Sequence, residues 1–344
     1  MDENLIYIDK NSQIPLMGVD FLGIIDRGTN IIEIKPLTLC NLKCKYCFVS
    51  ANDYETNFMI NSDYLISKVK ELVVIKGNYK LEVHIAPYGE ILLYPELETL
   101  LYQLSKINGI ETISMQSNGL LLSKDMIIKL KSNGLTRLNL SLNTLREDLA
   151  CYLCNCTQYN IETLLQNIYL LLDSNIDLLV APVWFPREND KDIEDIIQLI
   201  LNLRKQGYSD RQTQIGIQKY LVYKTGRKLK KIKPKSWDYF YYQLSQLEKK
   251  YNLKLKLGPN DFGIHKRALI SDVRFRKGDI IKVQIISKGR WQNECIGKLN
   301  NDLGIKILLK KPLTFNEQLI GSTRTVKIIK ANYKDNITTA LYPY

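Results

Sequence analysis

The sequence predicts an α/β chain in two parts: a parallel sheet with helices packed outside, either open or curled into a partial (β/α)6 TIM-like barrel, followed by a small antiparallel β-barrel. Three observations predict it. From about Asn30 short β-branched runs alternate six times with amphipathic helical stretches, the pattern of a parallel sheet with helices packed outside it. From about Ser271 the helical period disappears, and five short β-rich runs spaced by turn residues suggest a small barrel. Between these, Cys40, Cys44 and Cys47 crowd into eight residues just after the first strand of the alternation, at the strand end where ligands of such sheets bind.

Residues 1–29 form an amino-terminal extension or hairpin before the series, and 30–257 carry the (β/α)6 pattern. NIIEIKP reads as the first strand, with the cysteine loop at its carboxyl end. NSDYLISKVKELVVIKG is a helix capped by Asn61 or Ser62, whose short polar side chains satisfy first-turn N–H groups. LEVHIAP, TISMQSN, RLNLSLN, DLLVAPVWF and TQIGIQKYL follow as strands. They alternate with the helices PELETLLYQLSKIN, SKDMIIKLKSNG, IETLLQNIYLLLDSN and DIEDIIQLILNLRKQG. A helix from Pro234 to about Tyr251 closes the series, residues 258–270 form a basic linker, and 271–344 form the barrel. Its strands are DIIKVQII, ECIGKLN, GIKILLK, RTVKIIKA and ITTALYP. No internal repeat or low-complexity tract interrupts this order.

Charge divides the chain more sharply than composition. Residues 1–200 hold 17 basic and 26 acidic residues, a balance of −9, whereas residues 201–344 hold 31 and 10, a balance of +21. An acidic front and a basic back suggest chemistry in one part and a polyanion held by the other. The most apolar stretch, LLQNIYLLLDSNIDLLVAPVWF, is broken by Asp173, Asn175 and Asp177, so a helix and a buried strand are expected rather than a membrane span. With no signal sequence at the start, a cytoplasmic protein is expected, where thiols stay reduced.

Three close cysteines in that setting point to metal or redox chemistry. A disulfide would leave one thiol over, and structural zinc would want a second pair of Cys or His, whereas the two histidines, His84 and His265, stand far apart. Iron–sulfur ligation fits better, because three thiolates leave one iron of a 4Fe-4S cube open to a substrate or cofactor.

This C-x3-C-x2-C run after the first strand of a β/α series, with Tyr46 just before its last cysteine, resembles the radical S-adenosylmethionine superfamily. The resemblance covers roughly residues 28 to 257. It implies that Cys40, Cys44 and Cys47 hold a 4Fe-4S cluster whose open iron chelates S-adenosylmethionine. Reductive cleavage of the sulfonium then supplies a 5'-deoxyadenosyl radical. It implies cofactor contacts from Gly89 and Glu90, with Tyr88 standing where the family has its first glycine, and from Ser141 and Asn143 to the ribose, with Asn118 contributing. Ala181 and Val183 would line the adenine, and Tyr46 belongs to the same set. The carboxyl-terminal strands are similar to a TRAM domain, an oligonucleotide-binding (OB-type) barrel that accompanies RNA-modifying enzymes, and the whole arrangement looks like an archaeal family joining the two. Methylthiotransferases join these modules as well but carry an additional amino-terminal cluster domain, for which the 30 or so residues before the first strand leave no room.

The resemblance and the charge together imply modification of RNA, transfer RNA first, with reduction by a donor such as ferredoxin or flavodoxin and no membrane partner. A peptide or small-molecule substrate is the alternative, and a non-catalytic RNA-binding protein with a structural cluster is a third reading. The run KTGRKLKKIKPK, with Lys228, Lys230, Lys231 and Lys233, holds no acid over residues 224–235. With Arg274, Arg276, Lys277, Lys288 and Arg290 it is expected to form a phosphate-binding surface. The neighbouring Tyr239, Phe240, Tyr241 and Tyr242 are expected to pack, with stacking on bases as the other possibility. Cys151, Cys154 and Cys156 are either an auxiliary cluster site or small buried residues. Cys295 and His84 are expected to be core residues, and His265 a linker residue that either contacts substrate or sits in a plain surface loop.

Overall fold

The computed structural model describes residues 4–269, 275–299, 303–332 and 335–344. Along the chain come β1 (Leu5–Ile8), β2 (Gly23–Asp26), β3 (Ile31–Lys35), β4 (Asn57–Ile60), α1 (Ser62–Lys76), β5 (Leu81–Ile85) and α2 (Leu97–Ser105). They are followed by β6 (Ile110–Ser117), α3 (Lys124–Ser132), β7 (Arg137–Leu140), α4 (Glu147–Cys154), α5 (Ile161–Asp173), β8 (Asp177–Val180) and β9 (Val183–Trp184). Then come α6 (Asp190–Lys205), β10 (Thr213–Ile215), β11 (Gln218–Lys219) and α7 (Trp237–Tyr251). The last strands are β12 (Ile280–Lys288), β13 (Glu294–Lys298), β14 (Gly304–Leu309), β15 (Thr323–Asn332) and β16 (Ile337–Tyr342). No described helix is long and apolar enough to cross a membrane.

The chain divides into two compact units, one of Met1–Leu39, Asp53–Glu111 and His265–Tyr344, the other of Cys40–Asn52 and Thr112–Ile264. This partition follows compactness rather than the sequence modules 1–29, 30–257, 258–270 and 271–344, which stay a proposal about how the chain was assembled.

In the first unit β3 pairs antiparallel with β2 and parallel with β5, so that Glu33 faces His84 in register. The short β1 pairs parallel with β4. Helix α1 buries Leu65, Ile66, Val69, Leu72 and Val73, the three- and four-residue spacing of one helical face, and the Asn61 side chain accepts from the Tyr64 N–H as its cap. The carboxyl-terminal strands close a barrel in the order β12-β13-β14-β16-β15. It was expected to be antiparallel throughout, but β14 and β16 run parallel, because β15 lies between them in sequence while pairing with β12 and β16. This is the connectivity of a Greek-key barrel of the OB type. Val283, Ile285, Cys295, Ile305, Ile307, Val326 and Ile328 fill its core, as expected for Cys295.

The barrel is built onto the amino-terminal segment of its own unit. The Gly304 N–H donates to the Met17 carbonyl at 2.6 Å, Lys306 pairs with Asp20 at 2.5 Å, and Arg27 pairs with Asp335 at 3.1 Å. Arg290, expected on a phosphate-binding surface, is instead 6% exposed. Its guanidinium bonds both oxygens of Glu294 and lies 4.3 Å from the Phe21 ring centroid and 5.2 Å from that of Tyr54. The i,i+4 carboxylate of β13 claims it. Lys288 is half-buried, Arg276 and Lys277 are exposed, and Arg274 lies outside the described residues.

In the second unit β6, β7, β8 and β10 run parallel in that order, with α5 against β8 and α6 against β10. The run DLLVAPVWF, expected as one strand, is split into β8 and β9 around Pro182, which has no N–H for a ladder. TQIGIQKYL is likewise split into β10 and β11, and β9 pairs with β11.

Candidate cluster and cofactor site

The cysteine loop leaves β3 through residues 36–39, and the remaining site residues expected from the sequence lie at or just beyond the carboxyl ends of the parallel strands: Gly89 and Glu90 after β5, Asn118 after β6, Ser141 and Asn143 after β7, Ala181 after β8, and Val183 at the start of β9. In the first unit the segment after β5 touches the loop's approach. The Glu90 N–H donates to the Leu39 carbonyl at 2.8 Å, and a Cβ at Gly89 would fall 1.9 Å from that same oxygen. Glu90 is 1% exposed, and its carboxylate accepts from the Leu92 N–H at 3.0 Å. Tyr88 packs over a lysine: Lys35 Nζ lies 4.8 Å from its ring centroid and donates to the Ala86 carbonyl at 2.8 Å. His84 is half-buried, and the His265 carbonyl accepts from the Asn30 N–H, so that residue serves its own unit's backbone.

In the second unit the loop is held from several sides. Arg227 does most of this: its N–H donates to the Cys47 carbonyl at 2.8 Å, its Nε to the Cys44 carbonyl at 2.7 Å, and its Nη2 to the Ala51 carbonyl at 2.8 Å. Beside it Ser50 Oγ donates to the Thr225 carbonyl at 2.8 Å, and a Cβ at Gly226 would sit 2.5 Å from the Phe48 carbonyl oxygen. Sequence reasoning missed this arginine because it stands inside a run of lysines that reads as a uniform cationic surface; the one signal was TGR, a turn inserted before that run.

Tyr46, Asn143 and Val183 are brought together. Asn143 Nδ2 donates to the Tyr46 hydroxyl at 2.6 Å, and its Oδ1 accepts from the Val183 N–H at 2.7 Å. Both ends of the amide are thus used inside the protein. Asn118 Nδ2 donates to Asn41 Oδ1 at 2.8 Å, and Gln116, absent from the expected set, donates to Ser141 Oγ at 2.7 Å. Ala181 is buried, its N–H bonded to the Leu140 carbonyl at 2.9 Å.

Cys40, Cys44 and Cys47 are half-buried and in no disulfide. The neighbouring Cys154 thiol and burial both push the Cys44 pKa up, and burial does the same at Cys47; the Arg227 charge opposes both. Among the described residues no three His, Cys, Asp or Glu side chains gather closely enough to hold one ion. A cube of four irons asks for something else, since each thiolate binds a different iron and the three need not converge on a point. The donor set therefore fits the cluster chemically. A further observation agrees: Asn41 Nδ2, inside the loop, is buried with no partner among the described residues, a donor placed for an acceptor that they do not supply. In the second cysteine group Cys154 is buried, and Cys151 and Cys156 are half-buried. Cys151 donates to the Tyr159 carbonyl at 3.5 Å, and Cys154 lies against Cys44.

The lysines expected to bind RNA, Lys228, Lys230, Lys231 and Lys233, are all exposed. In α7, Phe240 packs as expected, but Trp237 is 50% and Tyr242 60% exposed, and Tyr239 and Tyr241 also face solvent.

Comparison with known proteins agrees with this geometry. The chain is 35% identical over 355 residues to the uncharacterized protein MJ0103 of the archaeon Methanocaldococcus jannaschii, covering 97% of this chain and 80% of that one. It is 31% identical to the GTP 3',8-cyclase of Clostridium acetobutylicum over 50% of this chain and 53% of the cyclase, and thus spans about half of that relative's length. Among solved structures, Streptococcus suis SuiB bound to S-adenosylmethionine superposes with a TM-score of 0.50 at 18% identity, over 66% of this chain and 49% of SuiB. HydG, a maturase of the FeFe-hydrogenase, gives 0.52 at 11% identity, over 63% of this chain and 49% of HydG, and both likenesses speak to the fold alone. Residues 34–200 match the profile of the radical SAM superfamily. The spacing of Cys40, Cys44 and Cys47 beyond β3, the parallel strands that present the other residues, and these matches give one conclusion: the chain belongs to the radical SAM superfamily, whose cofactors are a 4Fe-4S cluster and S-adenosylmethionine.

Proposed function

We propose that this radical SAM enzyme modifies RNA, with transfer RNA as the first candidate, and draws its electron from a ferredoxin- or flavodoxin-type donor. Cys40, Cys44 and Cys47 would hold the cluster, with Gly89, Glu90, Asn118, Ser141, Asn143, Ala181 and Val183 around S-adenosylmethionine. When bound, this pair supplies reductive cleavage of the sulfonium to a 5'-deoxyadenosyl radical, chemistry suited to a carbon that polar reagents leave untouched.

One observation carries the RNA reading. The exposed lysines start from the segment that grips the cysteine loop: Phe48, directly after Cys47, packs its ring 5.8 Å from that of Tyr223, Arg227 bonds the loop carbonyls, and Lys228, Lys230, Lys231 and Lys233 follow at once. Exposed aromatic rings stand beside them, with Trp237 and Tyr241 stacked at 5.8 Å and Lys219 Nζ 4.9 Å from the Trp237 ring centroid. A cationic track interleaved with exposed rings suits a single-stranded or looped polyanion with unstacked bases. The OB-type connectivity of the terminal barrel adds support.

The test is filter binding of unmodified transfer RNA across a salt series. Wild-type affinity should fall steeply with salt. Changing Lys228, Lys230, Lys231 and Lys233 together to Gln should weaken binding at least several-fold and flatten the slope by roughly one for each phosphate no longer neutralised. Equal, salt-insensitive affinities would remove RNA as the substrate. A second reading, a free nucleotide, is favoured by the identity to a GTP 3',8-cyclase, whose name states its substrate. Loss of one modified nucleoside from the RNA of a deletion strain would decide for RNA. An unchanged RNA pool, together with nucleotide-dependent formation of 5'-deoxyadenosine by the purified enzyme, would decide for the nucleotide.

A further inference from the structure

One thiol with no task in holding the cluster or its cofactor lies against a cluster cysteine. Cys154 is the last residue of α4 and 5% exposed, and its thiol lies beside that of Cys44. The backbone fixes this contact independently. The Lys45 N–H donates to the Leu153 carbonyl at 2.9 Å, a bond between the residue after Cys44 and the residue before Cys154, and Lys45 Nζ lies 3.6 Å from the Tyr152 ring centroid. Leu149 and Leu153 pack with Phe185 and Tyr220, and Tyr46 of the cysteine loop packs against the same group. Asn155, in the left-handed conformation at φ 54°, stops the helix directly after Cys154. Helix α4 is therefore pinned so that its last side chain meets the loop.

We propose that Cys154 is a positioning and tuning residue for the cluster, donating its S–H to the Cys44 sulfur once that sulfur ligates iron. A neutral S–H beside an iron-bound thiolate withdraws charge from the sulfur. The reduced cluster, one electron more negative, gains more from that than the oxidised one, so the hydrogen bond raises the reduction potential. It also orients the Cys44 side chain toward its iron. The inference rests on Cys44 being a cluster ligand, which iron analysis of Cys44→Ala decides separately, and it is independent of the substrate.

The experiment is an EPR-monitored redox titration of the anaerobically reconstituted holoenzyme in wild-type, Cys154→Ala and Cys154→Ser forms, each with iron and sulfide analysis. Alanine should keep wild-type iron content but lower the equilibrium constant for cluster reduction by roughly tenfold, ~59 mV for a one-electron couple. Serine, which retains a donor of similar size, should return most of that shift. An alanine variant that assembles no cluster beside a serine variant with wild-type iron and potential would also support the proposal. Equal potentials in all three forms would overturn it. So would loss of iron from both variants, because Cys154 would then be a ligand.

Discussion

Gly89 stands so close to Leu39 that a Cβ on it would fall 1.9 Å from the Leu39 carbonyl oxygen, the same oxygen that accepts the Glu90 N–H at 2.8 Å. The obstacle is backbone, and the next residue after Leu39 is Cys40, so neither strand exit can yield without moving a site residue. Gly89→Ala is therefore expected to lower S-adenosylmethionine affinity by tenfold or more and to reduce iron content, read by equilibrium dialysis and iron analysis of the reconstituted protein. Wild-type values for both would show that the close approach is not needed.

Arg227 is expected to matter for cluster assembly rather than for substrate. Its guanidinium donates to the carbonyls of Cys44 and Ala51, and hydrogen bonds from a charged donor contribute roughly 1.5–3 kcal/mol each. Arg227→Ala should lower the iron retained after reconstitution several-fold, and Arg227→Lys, which keeps the charge but loses the fork, should fall between. Equal iron in all three forms would show that the loop holds itself.

Arg290 and Glu294 form a buried pair inside the barrel unit. Removing one partner leaves the other charge uncompensated, so Arg290→Met should cost about 3–5 kcal/mol in urea unfolding, while Arg290→Met with Glu294→Leu should regain much of it. Because Met17 and Asp20 bond Gly304 and Lys306, cutting off the barrel would strip partners from the amino-terminal segment. Truncation is accordingly a poor test of RNA binding, and the lysine substitutions are the better one.

Glu33 gives the first unit a predictable acid limb. Burial works against its charge, but Lys35 at 2.6 Å and Arg27 outweigh it and depress the carboxyl pKa to about 2. A depressed folded-state pKa means stabilisation that is fully present above the ordinary carboxylate range and is lost as pH falls through about 2. Wild type should therefore exceed Glu33→Gln in stability by roughly 3 kcal/mol near neutrality, with the difference shrinking below about pH 4.5. Urea unfolding at stepped pH reads this, and a difference that stays constant down to about pH 2.5 would contradict it.

The parallel strands, the helices between them and the terminal barrel were legible because each carries its own period and its own cap, as Asn61 shows for α1. The pairing of β1 with β4 was not, since four residues such as Leu5–Ile8 hold no information about a partner some 50 positions away. Helix α4 was missed because it is eight residues long and its N-cap, Arg146, makes no side-chain cap bond. Charge misled at Arg227 and Arg290: a sequence shows that a guanidinium is present but not whether a carbonyl or a carboxylate is waiting for it. The aromatic helix misled in the opposite sense. Only Phe240 and Leu244 of α7 are buried, and the rings expected to pack face solvent.

The most direct test of the central claim is anaerobic incubation of reconstituted protein with dithionite and S-adenosylmethionine, read by chromatography for 5'-deoxyadenosine. The wild type is expected to form it, and Cys40→Ala, Cys44→Ala and Cys47→Ala are each expected to lose it along with cluster iron. Wild-type protein that carries a 4Fe-4S cluster yet neither binds nor cleaves S-adenosylmethionine, with transfer RNA present or absent, would contradict the account.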